Sequence, residues 1–271
     1  MEEKKIQAAI DAILKGRKYR DLDIPRETAR DLLEKESKPG ARFPETIKSV
    51  KAKLHNIIAP YLDTLDYGTA GERITRCFET GGDEDMQNLC KDILRAHDST
   101  RERLQYFQAF FSYIFSQCGP ECTILDLACG LNPFFLPLVP FPAQMRYLAY
   151  DIHGPRITLL NQFFDAAKLP AKAMREDILI HPPKEEADAA FLFKEAHRIE
   201  KRESGATRRL IQALHAQTIF VSLPSRNLNG KYPIQERMQH LVEGILPDKA
   251  WIDETVTFGT ETVYRVRKSD G

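Results

Sequence analysis

Three acidic residues, Asp126, Asp151 and Asp177, close apolar runs at intervals of 25 and 26 residues. Each interval is about one strand–helix unit, which brings three carboxylates together along one edge of an open α/β sheet, where such sheets bind ligands. A carboxylate after a second strand suits the hydroxyls of a ribose, and one after a third suits the amino group of adenine. Asp126 would then lie toward the opposite end of the same ligand. It sits in the stretch 123–133, TILDLACGLNP. There Ile124, Leu125 and Leu127 read as a strand covered on both faces, and Gly130 lets the backbone approach a ligand. The pattern D-x-A-C-G is not G-x-G-x-x-G, which argues against a dinucleotide. Any one of these aspartates can serve a turn or a cap; the three in register favour a ligand.

Elements that place such a site follow from periodicity. Strands are expected at 145–150, 172–175, 188–193 (ending at Lys194) and 218–223, with a closing hairpin at 251–258 and 261–267. Helices are expected at 155–167, 196–216 and 233–246. Pro133, Pro137, Pro140 and Pro142 allow no more than a brief helical turn after the first strand. Ser99 and Glu102 form a capping box opening a helix that carries Leu104, Phe107, Phe111 and Ile114 on one stripe. Arg101 and Arg103 fall in its first turn, where the helix dipole disfavours a cation, so one of them is a candidate for holding a ligand carboxylate. Upstream, short helices carry Ile6, Ile10 and Ile13, then Ala29, Leu32 and Leu33 after Pro25, then Ile47, Val50, Leu54, Ile57 and Ile58 after Pro44. Residues 67–82 read as irregular and glycine-punctuated, and a further helix carries Met86, Leu89, Cys90 and Ile93. The expected architecture is a doubly wound α/β domain over 98–271 behind a helical domain over 1–97.

Composition excludes several classes. No run approaches the ~18–20 apolar residues of a membrane helix, and the charged N-terminus lacks a signal-peptide core, so a cytoplasmic protein is expected. Five cysteines without a CxxC pair read as thiols in a reducing compartment, and no metal is expected. Lys plus Arg equals Asp plus Glu at 39 each, so overall charge announces no nucleic acid. Residues 1–53, however, hold 14 basic against 10 acidic side chains. Lys48, Lys51 and His55 share the outer face of the third helix, which is either a solvated face or a contact for RNA phosphates.

The first-strand motif resembles that of class I S-adenosylmethionine (AdoMet) methyltransferases, with the usual second glycine missing. Adding HDSTRERL (97–104), YDIHG (150–154), REDIL (175–179), FK (193–194), VSLPSRNLNG (221–230), GRKYRDL (16–22) and KLHNIIAPYL (53–62), nearly the whole chain resembles the aminoglycoside-resistance 16S rRNA methyltransferases that modify guanine 1405 at N7. The resemblance implies a Rossmann-like methyltransferase domain behind an all-helical domain that docks on the 30S subunit, AdoMet as cofactor, S-adenosyl-L-homocysteine as product, and action as a monomer. It assigns Arg103 and Gly130 to the methionine end of AdoMet, Asp151 to the ribose, and Asp177 with Ile178 to the adenine. Asp126, Ala128, Ile152 and Phe193 complete the expected pocket. Lys18 and Arg20 join Lys48, Lys51 and His55 as expected rRNA contacts, and Lys194 and Arg226, at the fourth and fifth strand ends, are expected beside the target base. No catalytic acid or base is nominated, because guanine N7 offers a lone pair and carries no proton. Asn132-Pro133-Phe134 mimics the N-P-P-[FY] motif of amino-group methyltransferases, but that motif follows the fourth strand, not the first. Two segments depart from the family pattern: Glu195-Ala196-His197-Arg198 replaces an apolar L-L-P stretch, and 222–230 differs from S-F-P-T-[KR]-S-L-G-G. Both lie near the expected target base, so a homologue acting on another nucleotide, or one that binds ribosomes without methyl transfer, stays open.

Overall fold

The computed structural model describes residues 3–37, 42–59, 63–141, 144–226 and 234–269. Positions 60–62, Pro142 and the stretch 227–230 of the divergent loop lie outside them. Apolar runs such as TILDL and EADAAFLF pair as β1 (Thr123–Leu127), β2 (Arg146–Asp151), β3 (Ala171–Arg175), β4 (Glu186–Phe193) and β5 (His215–Pro224). The hairpin β6 (Ala250–Phe258) and β7 (Glu261–Lys268) completes a seven-stranded sheet of order 3-2-1-4-5-7-6. β1 to β5 run parallel and β7 lies antiparallel to β5. The order reverses at β1, so the carboxyl ends of β1, β2 and β4 flank a crevice.

Helices α4 (Tyr67–Thr80), α5 (Asp83–Arg95), α6 (Asp98–Arg103), α7 (Phe107–Ser116) and α8 (Gly154–Ala166) cover one face, together with a 3-10 helix at Asn132–Leu138. The other face is covered by α9 (Ala196–Arg202), α10 (Ala206–Ala213) and α11 (Gln235–Ile245). The helices α1 (Glu3–Leu14), α2 (Arg26–Glu36) and α3 (Phe43–Ile58) bury Ile10, Ile13, Leu32, Leu33, Val50 and Leu54 in a core of their own. That unit ends before α4. Ala70, Ile74, Leu89 and Ile93 of α4 and α5 join the sheet's core instead, so the packing boundary falls well ahead of residue 97.

Three expectations of local structure need correction. Residues 67–80 are helical: Asp66 caps α4 by accepting from the Thr69 N–H at 3.0 Å. Gly71 there marks close packing rather than a break, since a Cβ would lie 2.7 Å from Oε1 of Gln162 on α8. The helix expected from the Ser99 box is two helices, α6 and α7, with His97 at the N-cap. It breaks where Arg103 and Tyr106 both turn inward onto Glu261. The helix expected over 196–216 divides at Gly205, whose φ is +75°, and Glu200 accepts the N–H groups of Gly205 and Thr207 at the start of α10.

Candidate functional site

The turn leaving β1 carries backbone strain where a ligand would approach. Ala128 and Gly130 both adopt the left-handed region, at φ 52° and 56°, which for Ala128 costs energy that its surroundings must supply. Two bonds hold the turn: Cys129 N–H donates to the Tyr150 carbonyl at 2.9 Å, and Gly130 N–H donates to Asp151 Oδ2 at 3.0 Å. A Cβ at Gly130 would meet nothing within 4 Å, so the glycine answers to its φ and to space that stays open.

Asp151 ends β2 and is buried. His153 N–H donates to Oδ1 at 2.9 Å, and the Arg156 guanidinium donates to Oδ2 at 2.9 Å. Burial alone would raise its pKa, but Arg156 and the His153 N–H hold the carboxyl below the usual range. With three of about four acceptor positions used, one on Oδ1 stays available to a hydroxyl. Arg156, at the start of α8, also reaches Asp63 at 3.0 Å, so one buried cation joins the segment before α4 to the β2 tip.

Beside Asp151 a cavity of about 470 Å³ opens along the carboxyl ends of the sheet, within the range of small-ligand sites. Ala128, Ile152 and Ile178 supply apolar walls, Asp177 and Glu195 supply carboxyl groups, and Ile24, Leu32 and Ile57 of the α1–α3 unit close it from above. Donor set and dimensions fit an adenosine: a carboxylate for the sugar, branched apolar side chains for the base. The α1–α3 unit is fastened over this cavity by several bonds, among them three of different kinds. Gly154 N–H donates to the Leu22 carbonyl at 3.0 Å, the Thr28 hydroxyl donates to Asp177 at 2.9 Å, and Lys35 pairs with Glu203 at 2.5 Å.

Asp177 does not stand as expected. Its Oδ1 accepts from Arg202 and from the Leu179 N–H, both at 3.1 Å, and its Oδ2 accepts from Thr28 at 2.9 Å and Arg202 at 2.7 Å. All four acceptor positions are spent on the protein, so the carboxylate has none left for an adenine amino group. Ile178, by contrast, faces the cavity.

Arg103, Asp126, Gly130 and Phe193 stand outside the cavity lining, among the described residues. Arg103 is buried and makes a two-pronged pair with Glu261 of β7 at 2.6 and 3.1 Å. It also donates to Asn132 Oδ1 at 2.8 Å, and its guanidinium lies 4.7 and 4.9 Å from the rings of Phe110 and Phe193. A ligand carboxylate would have to join this pair, for the charge is already matched. Glu261 additionally receives the hydroxyls of Ser222 and Tyr106. Burial would raise its pKa, yet Arg103 and Lys194 hold it low. Asp126 points into the sheet's covered face, taking hydrogen bonds from Tyr147 at 2.5 Å and Asn132 at 2.8 Å. Burial pushes its carboxyl up to about 6, against the pull of those two bonds and of Arg103.

Lys18, Arg20, Lys48, Lys51 and His55 are all exposed. The Tyr19 hydroxyl donates to the Lys51 carbonyl at 3.0 Å, which sets the 16–22 turn against α3 and joins these cations into one patch. Arg226 is exposed beyond β5. Lys194 is not: only 11% of its side chain is exposed, its φ is 56°, and its Nζ lies 2.7 Å from Glu102 and 3.7 Å from Glu261. It closes the buried network rather than presenting a cation to solvent. Sequence reasoning passed over Asp63, Arg156, Arg202 and Glu261, whose partners lie up to 158 residues away and leave no local signal.

The ribosomal RNA methyltransferase (FmrO) family matches residues 15–265. A 16S rRNA (guanine(1405)-N(7))-methyltransferase of Frankia casuarinae is 28% identical over 98% of this chain and 95% of its own length. One of Serratia marcescens is 29% identical over 97% and 99%. Among solved structures, 16S rRNA methyltransferase RmtF in complex with S-adenosyl-L-homocysteine superposes with a TM-score of 0.82 at 30% identity, covering 99% of this chain and 100% of that one. The 16S rRNA methylase RmtB gives 0.80 at 28% identity, over 97% and 98%. With a match that spans nearly its whole length, the chain belongs to the ribosomal RNA methyltransferase (FmrO) family.

Proposed function

We propose that this enzyme transfers a methyl group from AdoMet to N7 of guanine 1405 in 16S rRNA, acting as a single chain on the 30S subunit in the cytoplasm and conferring aminoglycoside resistance. The observation that carries the reading is the cavity at the β1–β2–β3 tips, with Asp151 in its wall, in a chain whose relatives bear that name. RmtF, superposable over nearly the whole length, was solved with S-adenosyl-L-homocysteine, which supports AdoMet as the methyl donor.

Bound AdoMet supplies an electrophilic methyl on a sulfonium. The chain's own task is placement. Asp151 takes a ribose hydroxyl, Ile152 and Ile178 sandwich the base, and the turn at 128–130 brings backbone close to the sulfur side. Guanine N7 attacks with its own lone pair, so no side chain must remove a proton, and rate comes from proximity and in-line orientation. The guanine must leave its helix to reach the methyl, and the patch of Lys18, Arg20, Lys48, Lys51 and His55 binds the rRNA backbone around it. Arg226 stands at the β5 end to meet the same strand.

Expression in a susceptible bacterium, with rRNA methylation mapped and growth tested on gentamicin and kanamycin, decides the matter. Methylation at guanine 1405 N7 with resistance is expected; an unmodified guanine 1405 rejects the reading. A second reading, another rRNA nucleotide, draws on the polar Glu195 and His197 in the cavity wall and would show as methylation mapped elsewhere.

A further inference from the structure

Of the described side chains lining the cavity, Lys53 and Asn56 of α3 and Lys201 of α9 are exposed, and the rest are buried or half-buried. These three mark the mouth, where two helices in contact with each other leave the interior open to solvent. Mouth and interior differ in sign. Inside stand the carboxyls of Asp151, Glu176, Asp177 and Glu195, whereas the mouth carries two cations and an amide. Behind it, burial and then the fields of Arg198 and Lys201 hold His197 down at about 4, so the imidazole is uncharged near pH 7. Arg202 is spent on Asp177 at 2.7 Å, and Lys53 pairs with Glu36 at 2.5 Å. Among the described residues no carboxylate pairs with Lys201.

The cofactor has no group for these cations. Ile199 of α9 packs with Ile178 in one core cluster, which puts the mouth at the base end of the cavity, and adenine bears no negative charge. The carboxylate of AdoMet belongs at the opposite end, beyond the 128–130 turn. An exposed cation beside an amide donor suits a phosphodiester instead. The solvent face of α3 supplies the continuity: it runs from Lys48, Lys51 and His55, the patch proposed to meet rRNA, across Ala52 and Asn56 to Lys53. We propose that docked rRNA lays a phosphate across this mouth, held by Lys201 with Lys53 and Asn56, and so closes the cavity over the bound methyl donor. The proposal rests on AdoMet and the 30S subunit being the two substrates. It implies an order: the donor enters before docking, and S-adenosyl-L-homocysteine leaves after the ribosome lets go.

Two measurements on the full-length protein test this: 30S affinity against salt, and release of radiolabelled S-adenosyl-L-homocysteine with and without saturating 30S subunits. In the parent, 30S subunits should slow release at least about tenfold. Lys201→Glu should weaken 30S binding about tenfold and shrink the slowing to below about threefold. Its S-adenosyl-L-homocysteine affinity and thermal midpoint without ribosomes should match the parent's. Lys201→Ala should lower the slope of log affinity against log salt by about one, and Lys201→Arg should restore both readouts. Exposed Lys249 precedes β6 at the far end of the sheet, and Lys249→Glu, an equal charge change, should leave both within about threefold. Release that 30S subunits do not slow overturns the proposal, as does Lys201→Glu behaving as the parent or Lys249→Glu losing as much. If the parent still methylates 30S subunits in those cases, the proposed function stands without the closed mouth. A parent that neither binds S-adenosyl-L-homocysteine nor methylates 30S subunits overturns that function, and this proposal with it.

Discussion

Replacing Arg156 by methionine keeps most of the side-chain volume and removes one charge. That charge is shared: the guanidinium sits 2.9 Å from Asp151 and 3.0 Å from Asp63, with 2, 8 and 3% of the three side chains exposed. Without it two buried carboxylates face each other uncompensated. Breaking a buried pair by removing one partner costs about 3–5 kcal/mol. At roughly 2–4 °C per kcal/mol for a protein of this class, the melting midpoint should fall by ~6–20 °C at pH 7. The sign with pH follows from Asp151. Its folded pKa lies below the ordinary 3.8, so its contribution is complete above that value and lost only as pH falls through the lowered one. In Arg156→Met burial is opposed by the His153 N–H without the cation's help, so the carboxyl rises and the loss moves to higher pH. Calorimetric melting from pH 4 to 8 reads both effects. A double-mutant cycle with Asp63→Ala should add a coupling of about 0.5–3 kcal/mol. A variant melting within about 1 °C of the parent, or a cycle that closes to zero, would refute the idea that this cation clamps the β2 tip.

Thr28→Val removes the hydroxyl donated to buried Asp177 and should cost about 1.5–3 kcal/mol in urea unfolding, since the acceptor is charged; an unchanged midpoint counts against that bond. Gly130→Ala should destabilise by about 1 kcal/mol through its left-handed φ alone, because no neighbour stands in the way of a methyl group; a loss of several kcal/mol in melting would mean an unseen clash. Asp126 has a raised pKa, about 6 against 3.8, so its ionised form opposes folding above pH 6 by about 3 kcal/mol, and the penalty fades as pH falls toward 4. Asp126→Asn should accordingly lose that part of the parent's pH dependence, and parallel melting curves at pH 5 and 8 would contradict it. Lys48→Glu with Lys51→Glu should cut methylation of 30S subunits by more than about tenfold while S-adenosyl-L-homocysteine affinity holds, as phosphate contacts are lost but the cavity is not; undiminished methylation moves the rRNA face elsewhere.

Much of the sheet was legible because its signals are local. TILDL, EADAAFLF and TIFVSL are apolar runs of strand length, and the 25- and 26-residue intervals set β1, β2 and β3 in register before any coordinate. Exposure of Lys48, Lys51 and His55 followed in the same way from helical spacing. Contacts across long separations were not legible. Gly71 read as a break because its benefit, contact with Gln162, lies 91 residues away. Asp177 read as an adenine contact from its strand-end position and the family resemblance, and Lys194 as an RNA contact from its strand end, while Thr28, Arg202 and Glu102, which occupy them, arrive from elements far along the chain.

The bonds from Leu22 to Gly154, Thr28 to Asp177 and Lys35 to Glu203 make the first three helices part of the cavity's wall as well as the bearer of the cationic patch. Modularity is therefore lost at this joint. Under the proposed function, a chain trimmed to the α/β portion would surrender the roof over the cavity along with the cationic patch proposed to meet the rRNA, and helices grafted from a relative would import a foreign half of the cavity wall. If the patch meets rRNA and the cavity holds the donor, as proposed, pressure to recognise a new ribosomal surface must pass through the same helices that close the cavity, so the two properties would evolve as one.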